Sequence, residues 1–357
     1  MSLLSLSRAL LRPSPSSGLL RPAVAGIHSA TATAANVSPL VGTGPPPDPP
    51  MPSAAEVSAM SRVARRRRQA EMLREAKSIR NGKGEVKTVK RRFWTDVSVR
   101  EVDGSLQVFL DARPLRHPTT KEILRLPRSK HALATALAIE WDSLTSAQDA
   151  SKAHLLPLTS LVCRAVDIAA DAASIRPGLE RLLLRYLDTD SVLCWAPEPP
   201  AHMREAGPSL RDAQRAAADA LTAWLAARLW PGAVIEPVLD EASIIPRPQP
   251  AHTRHAVETW VAALDAWDLA GLERAVISGK SFLVAARLLA EWSESAGVVA
   301  PHERAWGADE AALAANMEVD WQTGRWGEVE DTHDVEKQDI RRHYGSVILL
   351  VSGSKTA

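Results

Sequence analysis

Period-two alternation of apolar and polar residues begins after Phe93-Trp94. Val97 and Val99 lead to Val102-Asp103-Gly104, and Leu106, Val108 and Leu110 form the return. Asp-Gly between two alternating runs predicts a two-residue type I′ hairpin, because both central positions of that turn need positive φ. Phe109 falls on the other face of the return strand, so that face is expected to be covered as well. Pro114 predicts a bend after Asp111-Ala112-Arg113, since it donates no hydrogen bond and restricts the residue before it. Ile123, Leu124 and Leu126 predict one more short strand, ended by Pro127. The period then lengthens: Leu133, Leu137, Trp141 and Leu144 share one helical face, with Glu140 and Asp142 turned elsewhere. A switch from period 2 to period 3.6 predicts a helix packed on one face of a sheet.

Every later periodic stretch is helical. Pro157-Leu158-Thr159-Ser160 opens a helix through Leu161, Val162, Ala165 and Val166, with Thr159 or Ser160 as the expected N-cap. A helix over 176–187 has Pro177 in its first turn and an inner stripe of Leu179, Leu182, Leu183 and Tyr186. Asp188-Thr189-Asp190-Ser191 reads as a cap or turn, where two acids need no cation. A long helix over 210–230 carries Ala213, Ala217, Leu221, Trp224 and Arg228 as its stripe. Further helices are expected over 254–267 and 281–292, with Gly271 and Gly279 punctuating the segment between them. The last begins near Asp309 and runs through Asn316 to Trp321. The expected fold class is therefore α+β: a small α/β domain with a short-stranded sheet over 91–153, then a larger all-helical domain over 154–357. No stretch reaches 18 consecutive apolar residues, so no integral membrane segment is expected.

Composition changes this picture in two respects. Eleven Trp stand against three Phe and two Tyr, so indoles carry most of the aromatic packing. The formal charge of +1 hides an asymmetry. Residues 1–47 contain Arg8, Arg12 and Arg21 but no acid, and 62–92 hold thirteen Lys and Arg against three Glu. From Phe93 onward there are 27 basic and 37 acidic residues, a net of −10. An acidic body argues against a nucleic-acid partner. Residues 1–28 combine Ser, Ala, Leu and spaced Arg without a long apolar core, the pattern of a mitochondrial transit peptide. With the Pro-rich stretch that follows, 1–50 is expected to be transit peptide and disordered linker, and 51–90 a basic, partly helical lead-in stopped by Asn81-Gly82-Lys83-Gly84. Cys163 and Cys194 form no motif and are expected to be buried free thiols in a reducing compartment.

The search for chemistry finds no G-x-S-x-G elbow, Walker A loop or dinucleotide-binding glycine fingerprint. Gly279-Lys280-Ser281 resembles the tail of a phosphate loop but lacks the first glycine. The densest polar stretch is Trp326-Gly327-Glu328-Val329-Glu330-Asp331-Thr332-His333-Asp334-Val335, with five ionisable groups between Glu328 and Asp334. Asp331, His333 and Asp334 could offer two carboxylates and an imidazole to a divalent cation, which is the basis of an alternative reading as a metal-dependent hydrolase. Their spacing opposes it: positions two apart do not face each other on a helix, and on a strand Asp334 points away from the other two. From Glu303 to Glu336 there are ten acids, with only Arg304 and Arg325 as Lys or Arg, interspersed with Trp306, Trp321 and Trp326. The favoured reading is a contact surface for another macromolecule, built from Glu318, Trp321, Trp326, Glu328, Glu330, Asp331, His333 and Asp334, without cofactor or metal.

Several stretches recur in order in one family: Arg91-Arg92-Phe93-Trp94 with Val97-Ser98-Val99, Leu110-Asp111-Ala112-Arg113-Pro114-Leu115, Glu140-Trp141-Asp142, Pro157-Leu158-Thr159-Ser160-Leu161, Tyr186-Leu187-Asp188-Thr189-Asp190, and Trp326 to Val335. On these residues the chain resembles the Atp12 family of mitochondrial F1-ATPase assembly chaperones over roughly 90–350. Ala112 stands where many relatives carry glycine. The resemblance implies a small α/β domain followed by a helical domain, residence in the mitochondrial matrix, no enzymatic activity, and a monomer when free. It implies a partner, the unassembled alpha subunit of F1, held until the beta subunit arrives. It also implies an important acidic residue in the helical domain, for which Glu318 and Glu328 are the candidate matches.

Overall fold

The computed structural model describes residues 92–199, 202, 207–239, 245–329 and 332–353. The transit peptide, the linker, the basic lead-in, Glu330 and Asp331 lie outside the described residues. The first strands are β1 (Val97–Val102) and β2 (Ser105–Leu110), antiparallel with Val102 opposite Ser105. Asp103 (φ 51°) and Gly104 (φ 74°) both take positive φ, as the type I′ turn requires. The third strand, β3, is Arg113–Pro114 rather than the expected bend, pairing Phe109 with Pro114 at the sheet edge. An edge tolerates proline because the missing N–H faces no partner strand. Between β2 and β3 the positive φ falls on Asp111 (53°) and not on Ala112, so the alanine fits without strain. The Asp111 carboxylate accepts from the Thr95 and Asp96 amides at 3.0 and 2.9 Å, and these bonds hold its carboxyl below the usual carboxylate range.

The strand expected over 123–126 contributes only the isolated bridges Arg116–Ile123 and Leu106–Leu126. Burial of Leu124 and Leu126, more than a ladder, fixes that segment. Helix α1 (His131–Asp142) lies on the sheet and buries Leu133, Ala134, Leu137 and Trp141 against Leu106, Val108 and Leu110. On the other face, Phe109 is half-buried beneath the Arg100 guanidinium, 4.6 Å from the ring centre.

Helix α2 (Pro157–Ala170) starts before the expected Thr159 or Ser160 cap, with Leu156 as its N-cap and Pro157 at its first position. Its capping acceptor comes from α1 instead of Thr159 or Ser160. The Glu140 carboxylate accepts from the Leu158 and Thr159 amides at 2.7 and 2.9 Å and from Thr159 Oγ1 at 2.6 Å. Helix α3 (Ala172–Leu187) also starts early, capped by Asp171, which leaves Pro177 inside the helix and shifts the buried stripe to Leu179, Leu183, Leu184 and Leu187. Helix α4 (Leu210–Arg228) begins with a Ser209–Asp212 capping box. It turns Gln214, Ala218, Leu221 and Leu225 inward, one position beyond the expected Ala213–Ala217 stripe.

The single helix expected over 254–267 is α5 (Ala251–Ala263), and a second, α6 (Ala266–Gly279), starts where Asp265 accepts from the Asp268 amide at 2.8 Å. Gly271 does not interrupt α6. Helix α7 (Phe282–Trp292) is buried almost all round, and the Asp190 carboxylate accepts from its Leu283 amide at 2.8 Å and from the Val192 amide at 3.0 Å. The cap reading of 188–191 holds. The last expected helix divides at buried Asn316 into α8 (Ala308–Ala315) and α9 (Met317–Trp326). Asn316 is the C-cap of the first and the N-cap of the second, without a side-chain capping bond. Helix α10 (His333–Val351) was not expected, yet it buries Ile340, Tyr344, Val347, Leu350 and Val351 against α6, α8 and α2. One hydrophobic cluster runs from Trp94 to Val351. Cys163 and Cys194 are free thiols, the first buried and the second half-buried. No helix among the described residues is long and apolar enough to cross a membrane. The fold is α+β, with a small sheet unit followed by a mostly helical larger part.

Candidate functional site

The recurring motifs fall into two structural roles. Most of them build the joint between sheet and helices. Arg92 donates to the Asp142 carboxylate at 3.0 Å, Trp94 packs 5.5 Å from Trp141, and Trp141 Nε1 donates to Thr159 Oγ1 at 2.9 Å. Glu140 completes this joint as the cap of α2, and burial pushes its carboxyl above the usual range. The joint's inner part, Trp94, Trp141, Thr159 and Glu140, specifies packing, although Trp94 Nε1 is buried without a partner, and only the Arg92–Asp142 pair at its edge is exposed.

The acidic stretch has the opposite character. Trp326 ends α9 at 65% exposure, followed by Val329 at 58% and Val335 at 56%, so the α9–α10 connection carries apolar groups into solvent. Gly327 (φ 87°) turns the chain there. Val329 N donates to His333 Nδ1 at 3.0 Å, which assigns the ring proton to Nε2. His333 and exposed Asp334 are the first residues of α10, where a carboxylate favours the helix dipole. Lys337, one turn further, reaches Asp320 on α9 at 3.0 Å and also bonds Glu328, and these two carboxylates raise its pKa. Glu318 is exposed and accepts from Gln322 Nε2 at 3.1 Å, an edge-sharing pair four residues apart. Trp321 is half-buried beside a cleft of about 780 Å³ bounded by Pro197, Pro208 and Leu210, with the Arg325 guanidinium 5.5 Å from its ring centre.

The structure thus brings Glu328, His333 and Asp334 together at one connection and places Trp326 at its edge, while Glu318 and Trp321 lie further back along α9. Asp320 and Lys337 belong to this surface and were missed. They are far apart in sequence on different helices, and no spacing rule links them. Among the described residues, no group of three His, Cys, Asp or Glu side chains is placed to hold a metal ion. His333 Nδ1 is already engaged by the backbone, so the hydrolase alternative draws no support from the described part of the cluster.

Comparison with known proteins follows the same lines. The family model described as ATP12 chaperone protein matches residues 91–226, the sheet unit through α4. The chain is 32% identical over 260 residues to protein atp12, mitochondrial, of Schizosaccharomyces pombe, covering 73% of this chain and 81% of that one. The chain belongs to the ATP12 chaperone family. Protein ATP12, mitochondrial, of Saccharomyces cerevisiae is 32% identical over 272 residues, covering 71% and 81% of the two chains. The crystal structure of Atp12 from Paracoccus denitrificans superposes with a TM-score of 0.54 at 26% identity, covering 72% of this chain and 96% of that one. The protein is therefore an assembly chaperone of the ATP12 family located in the mitochondrial matrix. The family model ends before residue 318, so the acidic surface lies outside its match.

Proposed function

We propose that the protein holds the unassembled alpha subunit of mitochondrial F1-ATPase until the beta subunit joins it, by non-covalent cover of an assembly surface and without catalysis. Membership of the ATP12 family supports the class of activity. The observation that carries the choice of surface is the exposure of Trp326, Val329 and Val335 along a stretch that also exposes Glu328 and Asp334, with exposed Glu318 at the start of α9. Exposed apolar groups rimmed by charge suit a transient protein interface, where packing holds the complex and charge selects register. Glu330 and Asp331 belong to the proposed surface by sequence. Exposed ion pairs add only about 0–1 kcal/mol, so the indole is the main anchor and the carboxylates the selector.

The test uses tagged full-length protein to capture partners from matrix extract, with the bound subunit identified by mass spectrometry. Enrichment of the alpha subunit is expected, and capture of beta alone would overturn the proposal. Folded Glu318 and Glu328 variants then locate the surface. Replacement by Lys is expected to weaken alpha binding more than replacement by Gln at one of the two positions. Normal binding by all four would remove this stretch as the selective surface.

A further inference from the structure

Behind Glu318 the break between α8 and α9 opens a separate cavity of about 180 Å³, bounded also by α4, the turn from α6 to α7 and the flank of α10. Its lining mixes small apolar groups, Val192, Ala217, Ala315 and Ile340 among them, with the polar Ser191, Gln214 and Ser278. Glu318 and Glu336 stand at its rim with Lys280, which is 71% exposed and reaches Glu336 only at 3.9 Å. Asn316 also lines it, and this is the unusual feature. The residue is 93% buried (7% exposed), and its side-chain amide, without a hydrogen bond to another described residue, keeps contact with solvent at the cavity. Behind Gly279, which lines the cavity, the Tyr344 hydroxyl is buried without a partner, and a Cβ added at Gly279 would come within 1.8 Å of it. Glycine at 279 therefore lets the Tyr344 ring pack closely against the turn. Buried polar groups are normally satisfied, because an unmet one costs about 1–3 kcal/mol. An accessible amide with no protein partner, beside an acidic rim, leaves room for a polar group from elsewhere.

We propose that this cavity receives one arginine side chain of the bound client. Its aliphatic stem would pack on Ala217, Ala315 and Ile340, and its guanidinium would donate to Asn316 Oδ1 and to the Glu318 and Glu336 carboxylates. The two rim acids outnumber the one cation, which selects a positive group. A guanidinium suits the site better than an ammonium, since it is planar, carries five donors and is more weakly hydrated, so it enters a partly apolar space at lower cost. The inference rests on the proposed client reading and adds to it the chemistry of one anchor, with Glu318 as a rim residue of a pocket instead of a flat contact.

The experiment has two arms on full-length protein. In the first, N-acetyl-L-arginine methylamide is titrated into wild type, with the uncharged citrulline analogue as control, and side-chain amide and methyl signals are followed by NMR. Saturable shifts at Asn316 and Ala217 with the arginine probe alone are expected. They should vanish in Ala217→Phe, which fills the cavity from half-buried α4, and weaken in exposed Glu318→Gln, which leaves the packing untouched. In the second, alpha-subunit affinity is expected to fall at least about tenfold in Ala217→Phe, equivalent to about 1.4 kcal/mol. No saturable shift in wild type, or equal shifts from citrulline, overturns the inference however the client behaves. Probe binding lost in both variants with unchanged client affinity overturns it as well. Failure of wild type to bind the alpha subunit while the arginine probe binds would instead sink the client reading, and the pocket's preference for guanidinium would be established separately.

Discussion

Trp141 is 9% exposed and its indole N–H is bonded to Thr159, so it works as a packing residue. Trp141→Ala is expected to cost about 3–5 kcal/mol in chemical denaturation. Glu140→Ala should cost about 1–3 kcal/mol, because the Leu158 and Thr159 amides lose their acceptor. Near-wild-type stability for either would mean the joint is not the structural element described. A third residue sets a pH dependence. Burial, with the nearby Asp265 charge, pushes the Asp268 carboxyl up to about 6 despite bonds from Ser295 and Ser293. Between the ordinary 3.8 and about 6 the folded protein keeps a proton that the unfolded chain has lost, so this group's contribution falls as pH rises through that window. Relative to Asp268→Asn, which is neutral throughout, wild type should lose roughly 3 kcal/mol between about pH 4 and 7. Parallel stability curves for the two proteins would contradict the shift.

Among the elements, α10 joins the helical core to the acidic surface. Its first turn supplies His333, Asp334 and Lys337, and its later turns bury Ile340, Tyr344, Val347 and Leu350. Leu350→Ala is expected to lower stability by about 2–5 kcal/mol, measured by urea unfolding, and to leave client affinity unchanged once folding is restored by low temperature. Lys337→Met should do the reverse, altering client binding with little movement of the unfolding midpoint, since its bonds to Asp320 and Glu328 are solvent-facing. The spacing of Ile340, Tyr344, Val347 and Val351 carries the helical signal for α10. It was hidden because the polar run before it reads as a contact surface without a helix after it. The early start of α2 was illegible for another reason: Glu140 caps it from a different helix, and no local rule can anticipate a cap borrowed across space, whereas the Asp171 cap that starts α3 early is local.

For the whole molecule, a mitochondrial matrix chaperone with an Arg-bearing, acid-free start is expected to be processed on import. N-terminal sequencing of protein recovered from purified matrix should find a start beyond residue 1 and within about the first 50 positions, in keeping with a removable targeting segment. Recovery of the intact chain from that compartment would contradict it. We further propose the division at about 153 as one of modules, with 91–153 and 154–357 sharing the continuous core that links Trp94 to Val351.

Local pattern settled what depends on neighbours in sequence. Asp103-Gly104 determined the hairpin and its register, the Leu133–Leu137–Trp141 stripe determined α1, and Asp190 announced a cap. Charge distribution separated a basic leader from an acidic body, and the ordered motifs pointed to the family. Tertiary structure decided what depends on groups far apart in the chain: the β3 edge at Pro114, the pairing of Asp320 with Lys337, the exposure of Trp326, and the cavity where Asn316 faces Glu318 and Glu336. Sequence periodicity reports which face of an element is apolar. It does not report which other element covers that face or leaves it bare, because burial is a property of the packed arrangement and not of the local chain.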